Sequence, residues 1–304
     1  MDGLLIVDKP EGPTSFEVIR QVRRLLKEAP QKEPQQPEGF KREGPYKIGH
    51  TGTLDPLATG ALVLCLGEAC KLTPFLAELD KVYSVDIALG IETDSHDAQG
   101  KVIQTRPVPL LTSALLENHL CAFRGSFLQT PPMHSAIKQK GQRLYALARQ
   151  GIEVERQARA VVVHRLQLEA WEAERIQLTV HCSKGFFIRS LAHELGKLLG
   201  CGAHVKHLRR TSVGPFGLAQ ALTLPAMEAD VACLQRQLIP LDKALPWLPA
   251  HVLKADEAQK ARHGARFKLQ APPGRLRLLD EQGQLLALAE VLDGEPLRYL
   301  RVFL

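Results

Sequence analysis

The sequence predicts an α+β fold with a small all-β unit at its C-terminal end. Three observations carry this reading. Strand-like and helix-like segments follow one another without the regular alternation of a doubly wound sheet. Tyr83, Val85, Ile87 and Leu89 fall on one face of an extended segment, the period of a half-buried strand. Beyond a linker marked by Pro240, Pro246 and Pro249, three strand-like runs at 275–279, 284–292 and 297–303 crowd into about 55 residues, the pattern of a small appended β-barrel.

In chain order, Gly3 to Val7 is a short apolar strand that ends in the turn Asp8-Lys9-Pro10-Glu11-Gly12-Pro13. Thr14 and Glu17 have capping-box spacing, and Phe16, Ile19, Val22 and Leu26 recur on one face of the helix that follows. Residues 29–47 hold four prolines and few aliphatic side chains, so a mobile surface loop is expected. A Gly/Thr-rich turn from position 48 leads into the buried strand Ala61 to Leu66. A helix is expected near 112–121, a short basic helix from Arg143 to Gln150 stopped by Gly151, and strands at 158–170 and 174–183. Phe187 to Leu199 is a helix ended by Gly200, 203–213 is extended, and a further short helix lies near 255–262.

With 304 residues, 45% hydrophobic and 24% charged, the chain can bury a sizeable core. A formal charge of +6 is mild, favouring polyanionic partners only slightly. The clustering of charge says more. Lys138, Lys140, Arg143, Arg149, Arg156, Arg159 and Arg165 share one stretch, and Lys206, His207, Arg209 and Arg210 another. Such runs serve either as solvated faces or as phosphate contacts. Six cysteines without a C-x-x-C pair suit a reducing compartment. The N-terminal apolar run is short and has an acid at position 2, unlike a signal peptide, and no run approaches a membrane span, so a cytoplasmic protein is expected.

The most informative stretch is Gly49-His50-Thr51-Gly52-Thr53-Leu54-Asp55-Pro56-Leu57-Ala58-Thr59-Gly60. Pro56 keeps Asp55 extended and out of a helix. The flanking glycines would let a ligand backbone come close. An Asp in such a turn either bonds its own backbone or points a carboxylate into a cleft.

This run resembles the nucleophile motif of TruB-type pseudouridine synthases at every fixed position. Five further blocks agree in order. They are Gly3-Leu4-Leu5 through Lys9-Pro10 with Thr14-Ser15, Lys81-Val82-Tyr83 with Leu89-Gly90, and Gln129-Thr130-Pro131-Pro132 through Lys138 with Gly141-x-Arg143-Leu144-Tyr145. The last two are Cys182-Ser183-Lys184-Gly185 with Ile188-Arg189, and Gly202-Ala203-His204-Val205 with Leu208-Arg209-Arg210. The resemblance spans about 3–245. It implies a catalytic domain over 1–245, built on a mixed, largely antiparallel central sheet with an RNA-gripping insertion at 124–165, and a PUA-like RNA-binding domain over 250–304. It also implies isomerisation of uridine to pseudouridine at position 55 in the T-arm of tRNA, by a monomer that needs no protein partner and no cofactor.

By the same resemblance Asp55 is the nucleophile and Arg189 the cation that keeps it ionised and aimed. Tyr83 stacks on the flipped base, His50 fills space vacated in the RNA loop, and Leu208 is the aliphatic wall of the uracil pocket. Lys138 and Arg143 grip the RNA, and Lys9 and Pro10 support the catalytic loop. One position departs from the family pattern: Phe187 stands where Tyr is usual, and its ring can wall the pocket but offers no hydroxyl. Cys201, His204 and His207 have ligand-like spacing, but strand alternation would split them, so no metal is expected. Two rivals remain, a guide-RNA-dependent synthase of the dyskerin type and a tRNA chaperone without essential catalysis.

Overall fold

A computed structural model of the chain describes residues 1–28, 47–135, 137–139, 141–148 and 150–303, with Lys138 and Arg143 by backbone alone. The loop expected at 29–47 thus lies, apart from Lys47, outside the described residues. The fold is α+β around a ten-stranded mixed sheet. In chain order its main elements are β1 (Gly3–Lys9), α1 (Ser15–Glu28), β2 (Thr59–Leu66), β3 (Lys81–Leu89), α2 (Ser113–Leu120), β4 (Gly125–Gln129), β5 (Arg159–Glu172), β6 (Arg175–Cys182), α3 (Ile188–Leu198), β7 (Ala203–Val213) and β8 (Leu222–Thr223). The strand order is β8-β1-β2-β7-β3-β6-β5-β4, with Ile48–His50 added on β2 and Phe216–Gly217 on β7. Pairing is antiparallel except for β8 on β1 and β7 on β2.

The hydrophobic pattern of each strand reports how many of its faces are covered. On β1, Leu5 and Val7 join the core under the helices, while Leu4 and Ile6 join a second core behind the sheet. Both faces are buried, so the strand reads as an unbroken apolar run. On β3 only Val85, Ile87 and Leu89 are buried in the helix-side core, which yields the alternation seen in the sequence. The capping box forms as expected: Thr14 N donates to Glu17 Oε2 at 2.7 Å and Glu17 N donates to Thr14 Oγ1 at 3.2 Å.

One face assignment needs correction. Phe16 is 62% exposed, and the buried arc of α1 is Ser15, Val18, Ile19, Val22, Leu25 and Leu26. At 100° per residue Phe16 falls well outside that arc, and the small Ser15 turns inward instead.

The C-terminal unit contains β9 (Ala250–Val252), α4 (Ala255–Arg262), β10 (Gly274–Leu279), β11 (Leu285–Val291) and β12 (Arg298–Val302), with its four strands in sequential order as one sheet. It has a small core of its own around Leu276, Leu278, Ala287 and Ala289. Leu285, Leu288 and Phe303 also pack with Leu4, Ile6 and Val63 behind the large sheet. Lys71 Nζ donates to Val302 O at 2.8 Å and Arg277 Nε to Leu248 O at 2.9 Å across the same junction.

Candidate active site

The loop that carries Asp55 is held from beneath by the first strand and helix. Lys9 is fully buried, and its ammonium donates to the carbonyls of Pro10 (2.9 Å), Pro56 (3.2 Å) and Ala58 (2.6 Å). Burial pulls the Lys9 ammonium down to about 8, with the Asp55 carboxylate as the main opposing influence. Ser15 Oγ donates to Leu54 O at 3.0 Å and accepts from Leu54 N at 2.9 Å, fixing the residue before Asp55 on both sides. Ala58 N closes a turn onto Asp55 O at 3.0 Å. With its backbone held this way, Asp55 presents a carboxylate that is 40% exposed at the cleft.

Arg189, on the first turn of α3, reaches that carboxylate with Nη2 at 2.9 Å and is itself 7% exposed. Its fork is aimed from three other directions. Nη2 donates to His134 O at 2.6 Å, Nη1 donates to Ser95 O at 3.2 Å, and Nη1 lies 3.5 Å from Asp97 Oδ2. Asp97 is in turn fixed by Ser95 Oγ at 2.6 Å and Gln99 N at 3.0 Å, both donating to Oδ1. The buried guanidinium thus stands between two carboxylates, one buried with it and one facing the cleft. Such bonds to a charged donor are short and directional.

The start of α3 is set by a residue outside the cleft. Gln129, at the end of β4 and 7% exposed, accepts from Phe187 N at 2.8 Å through Oε1 and donates to Phe187 O at 3.0 Å through Nε2. Its amide thereby satisfies a helix-start N–H that has no intrahelical partner. Ser190 Oγ donates to Thr130 O at 2.9 Å and ties the same junction.

The cleft has a volume of about 350 Å³, within the usual small-ligand range. Asp55, Arg189, Tyr83, Phe187 and Leu208 all line it. Burial pushes the Tyr83 hydroxyl up, against the Arg210 guanidinium, which pulls it down. Two buried cations complete the wall. Lys81 donates to Ala77 O at 2.7 Å and also to Leu79 O, and burial draws its ammonium down to about 8. Arg210, 1% exposed, donates to Ala61 O at 2.7 Å and Gly52 O at 3.0 Å. Thr51 Oγ1 and Ser135 Oγ are buried at the cleft with no partner among the described residues.

Of the other expected site residues, only His50 has a described side chain. His50 lies on the short strand Ile48–His50 outside the lining, its Nδ1 buried without a partner and its imidazole held below the ordinary value by burial. Lys138 and Arg143 pair with each other through a two-residue backbone ribbon, and their side chains are outside the description. Cys201 is buried, His204 Nδ1 faces Ile91 O at 3.0 Å and His207 is exposed, so among the described residues this trio forms no metal-holding group.

Two sequence readings change. Gly60 is not there for a ligand backbone: at φ +99° it lies against β7, where an added Cβ would sit 2.2 Å from Arg210 O. Arg210, counted with a basic surface run, faces inward. Positions 208 and 210 are both buried on β7, and that period of two was the signal. Ser15 and Gln129 were read only as members of motif blocks and Asp97 was not named, because each acts on a partner distant in sequence.

The family model described as "TruB family pseudouridylate synthase (N terminal domain)" matches residues 40–188, and "tRNA pseudouridylate synthase B C-terminal domain" matches 189–246. The chain is 44% identical over 300 residues to the tRNA pseudouridine synthase B of Coxiella burnetii (strain RSA 493 / Nine Mile phase I), covering 96% of this chain and 92% of that one. It is 42% identical over 307 residues to the enzyme of that name from Ectopseudomonas mendocina, with the same two coverages. Among solved structures, a Cbf5-Nop10-Gar1 complex aligns at TM-score 0.72 and 23% identity, over 99% of this chain and 85% of that one. An H/ACA RNP bound to a substrate RNA containing 2'-deoxyuridine aligns at 0.71 and 21%, again over 99% and 85%. At these identities the structural likeness shows a shared fold.

Proposed function

The chain belongs to the TruB family of pseudouridylate synthases and acts on tRNA, and from that premise we propose that it isomerises the uridine at tRNA position 55, in the T-arm, with Asp55 as nucleophile. The observation that carries this reading is the Asp55 carboxylate held 2.9 Å from the buried Arg189 at the mouth of the cleft.

The reaction breaks the C1′–N1 bond of uridine, turns the freed base and rejoins it through C5, with loss of the C5 proton. A fixed, ionised carboxylate serves attack at C1′ or addition at C6 equally. Arg189 holds that carboxylate in place without covering it, since 40% of the side chain stays accessible. The target base is paired or stacked in folded tRNA and must be flipped into the cleft. There Tyr83 offers a ring to stack on and Leu208 an apolar wall. Phe187 contributes a ring alone, so in this protein the C5 proton leaves without help from a hydroxyl at that position. His50, Lys138 and Arg143 are assigned to the RNA-facing group, and residues 250–304 to a PUA-like module that contacts RNA away from the chemistry. The enzyme would work as a cytoplasmic monomer, where its six cysteines stay free as they are here.

The test is to incubate the protein with unmodified tRNA transcript and map pseudouridine by position. Asp55→Ala should abolish turnover while tRNA affinity stays within a few-fold, because phosphate contacts supply most of the binding. Residual turnover above about one percent of wild type would remove Asp55 from the nucleophile's role. Pseudouridine at another position with Asp55 still essential would correct the site and leave the chemistry standing.

A further inference from the structure

On the sheet face that the helices leave uncovered, two adjacent strands and the turn that enters a third bring one potential ligand each. Val82 of β3 is in register with His181 of β6, and Asp80 precedes it by two residues, so Asp80 and His181 are diagonal neighbours on one face. His164 arrives from β5 through a bulge. Val163 pairs with Cys182 and Arg165 with His181, leaving His164 as the extra residue. That insertion keeps Val163 and Leu166 both in the core and turns His164 outward beside His181.

The side chains converge. His164 Nε2 is 3.2 Å and His181 Nε2 3.9 Å from the same oxygen, Asp80 Oδ2, and the ring centroids are 4.9 Å apart. One ligand atom from each residue lies within 4.8 Å of the other two. Two imidazole nitrogens and one carboxylate oxygen thus face a common point, where a single ion could be bound by all three. Each side chain is about two-fifths exposed, at 43% for Asp80, 39% for His164 and 41% for His181, which leaves room for water in the remaining coordination positions. The backbone of Asp80 is held by Gly214 N donating to its carbonyl at 2.8 Å.

We propose that Asp80, His164 and His181 form a surface site for a divalent transition-metal ion of the zinc class. Imidazole nitrogen with one carboxylate suits Zn²⁺, Ni²⁺ or Cu²⁺, while Mg²⁺ prefers an all-oxygen shell. An ion there ties the turn that enters β3 to β5 and β6. The next residue along, Lys81, belongs to the cleft wall, so the clamp acts at the edge of the active site without touching the reacting atoms.

Calorimetric titration of the chelator-stripped full-length protein with Zn²⁺, and separately with Mg²⁺, tests this beside the variants His164→Ala, His181→Ala and Asp80→Asn. The expected result is saturable Zn²⁺ binding that raises the melting temperature, with no such response to Mg²⁺. Loss of a mere outer partner of a metal ligand costs about 10- to 100-fold in affinity, so each variant should weaken binding by at least about tenfold. The six cysteines can also take zinc, and for that reason the variant-against-wild-type difference carries the result. Should His164→Ala fail to fold, His164→Gln keeps a polar side chain of similar reach and is read instead. Unchanged zinc affinity in variants that melt like the metal-free wild type, no binding by the wild type, or a Mg²⁺ response equal to that of Zn²⁺ would each overturn the proposal.

Discussion

Replacing Gln129 by Leu isolates the amide that sets the start of α3. The two side chains are similar in size, so the change removes two hydrogen bonds without opening a large cavity. The Phe187 carbonyl keeps a second partner, Leu191 N at 3.2 Å, and loses little. The Phe187 N–H has no intrahelical partner to fall back on. A buried donor left unpaired costs about 1–3 kcal/mol, so we expect a loss of about 2 kcal/mol. For a chain of this size each kcal/mol moves the melting temperature by about 2 °C, which gives a fall of about 4 °C in thermal unfolding followed by circular dichroism. Arg189 sits two residues beyond Phe187, and a displacement of about 1 Å in a catalytic geometry can cost about 100-fold. Single-turnover pseudouridine formation at saturating enzyme should therefore slow by about tenfold or more. If the melting temperature moves by less than about 1 °C and the rate is unchanged, the Gln129 amide is not what holds Phe187, and the account of how Arg189 is aimed is wrong.

Three further predictions concern the same neighbourhood. Asp97→Asn keeps an oxygen for Ser95 and Gln99 but loses the charge facing Arg189, worth about 1.5–3 kcal/mol, so the single-turnover rate should drop about 10- to 100-fold with tRNA affinity unchanged; an equal loss in affinity would make Asp97 a binding residue. His96, stacked on His193 with ring centroids 3.8 Å apart, is driven from 6.5 to about 3, first by burial and then by the charges of His193, Arg189, Arg156 and Lys197. The unfolded chain takes up this proton below pH 6.5 and the folded one does not until about 3, so stability should fall across that window, more steeply in wild type than in His96→Asn; equal slopes would refute it. Asn also tolerates the φ of +62° found there. Phe187→Tyr places a hydroxyl beside Arg189, and with that donor near it turnover should stay level or rise, whereas a loss beyond about tenfold would mean the pocket is shaped around a phenyl ring.

How far the sequence could be read depended on how far each residue's partner lies along the chain. The Thr14–Glu17 box, the helices around 113–120 and 188–198 and the strand alternation of β3 are local patterns, and they came through with their bounds nearly intact. Asp55, Arg189, Tyr83, Phe187 and Leu208 were found through motif resemblance, and one cleft gathers them. Phe16 was misplaced because aromatic character outweighed angle, whereas inside the fold a serine was needed next to Leu54. Gln129 was grouped with the RNA-gripping insertion, yet its amide works on a helix 58 residues away. Asp80 comes from the turn before β3, His164 from a bulge on β5 and His181 from β6, and no spacing in the sequence announces them.

The apolar junction behind the large sheet bears on the order of synthesis at the ribosome. The helix-side residues of β1 can be covered once α1 and β2 follow. Leu4, Ile6 and Val63 wait on Leu285, Leu288 and Phe303, which are made long after them. Throughout elongation the nascent chain carries a sticky patch on an otherwise formed sheet, the kind of surface that recruits chaperones or seeds aggregation. Truncation near position 250 would make that transient exposure permanent. Fragments of this enzyme should therefore be harder to keep in solution than the intact chain.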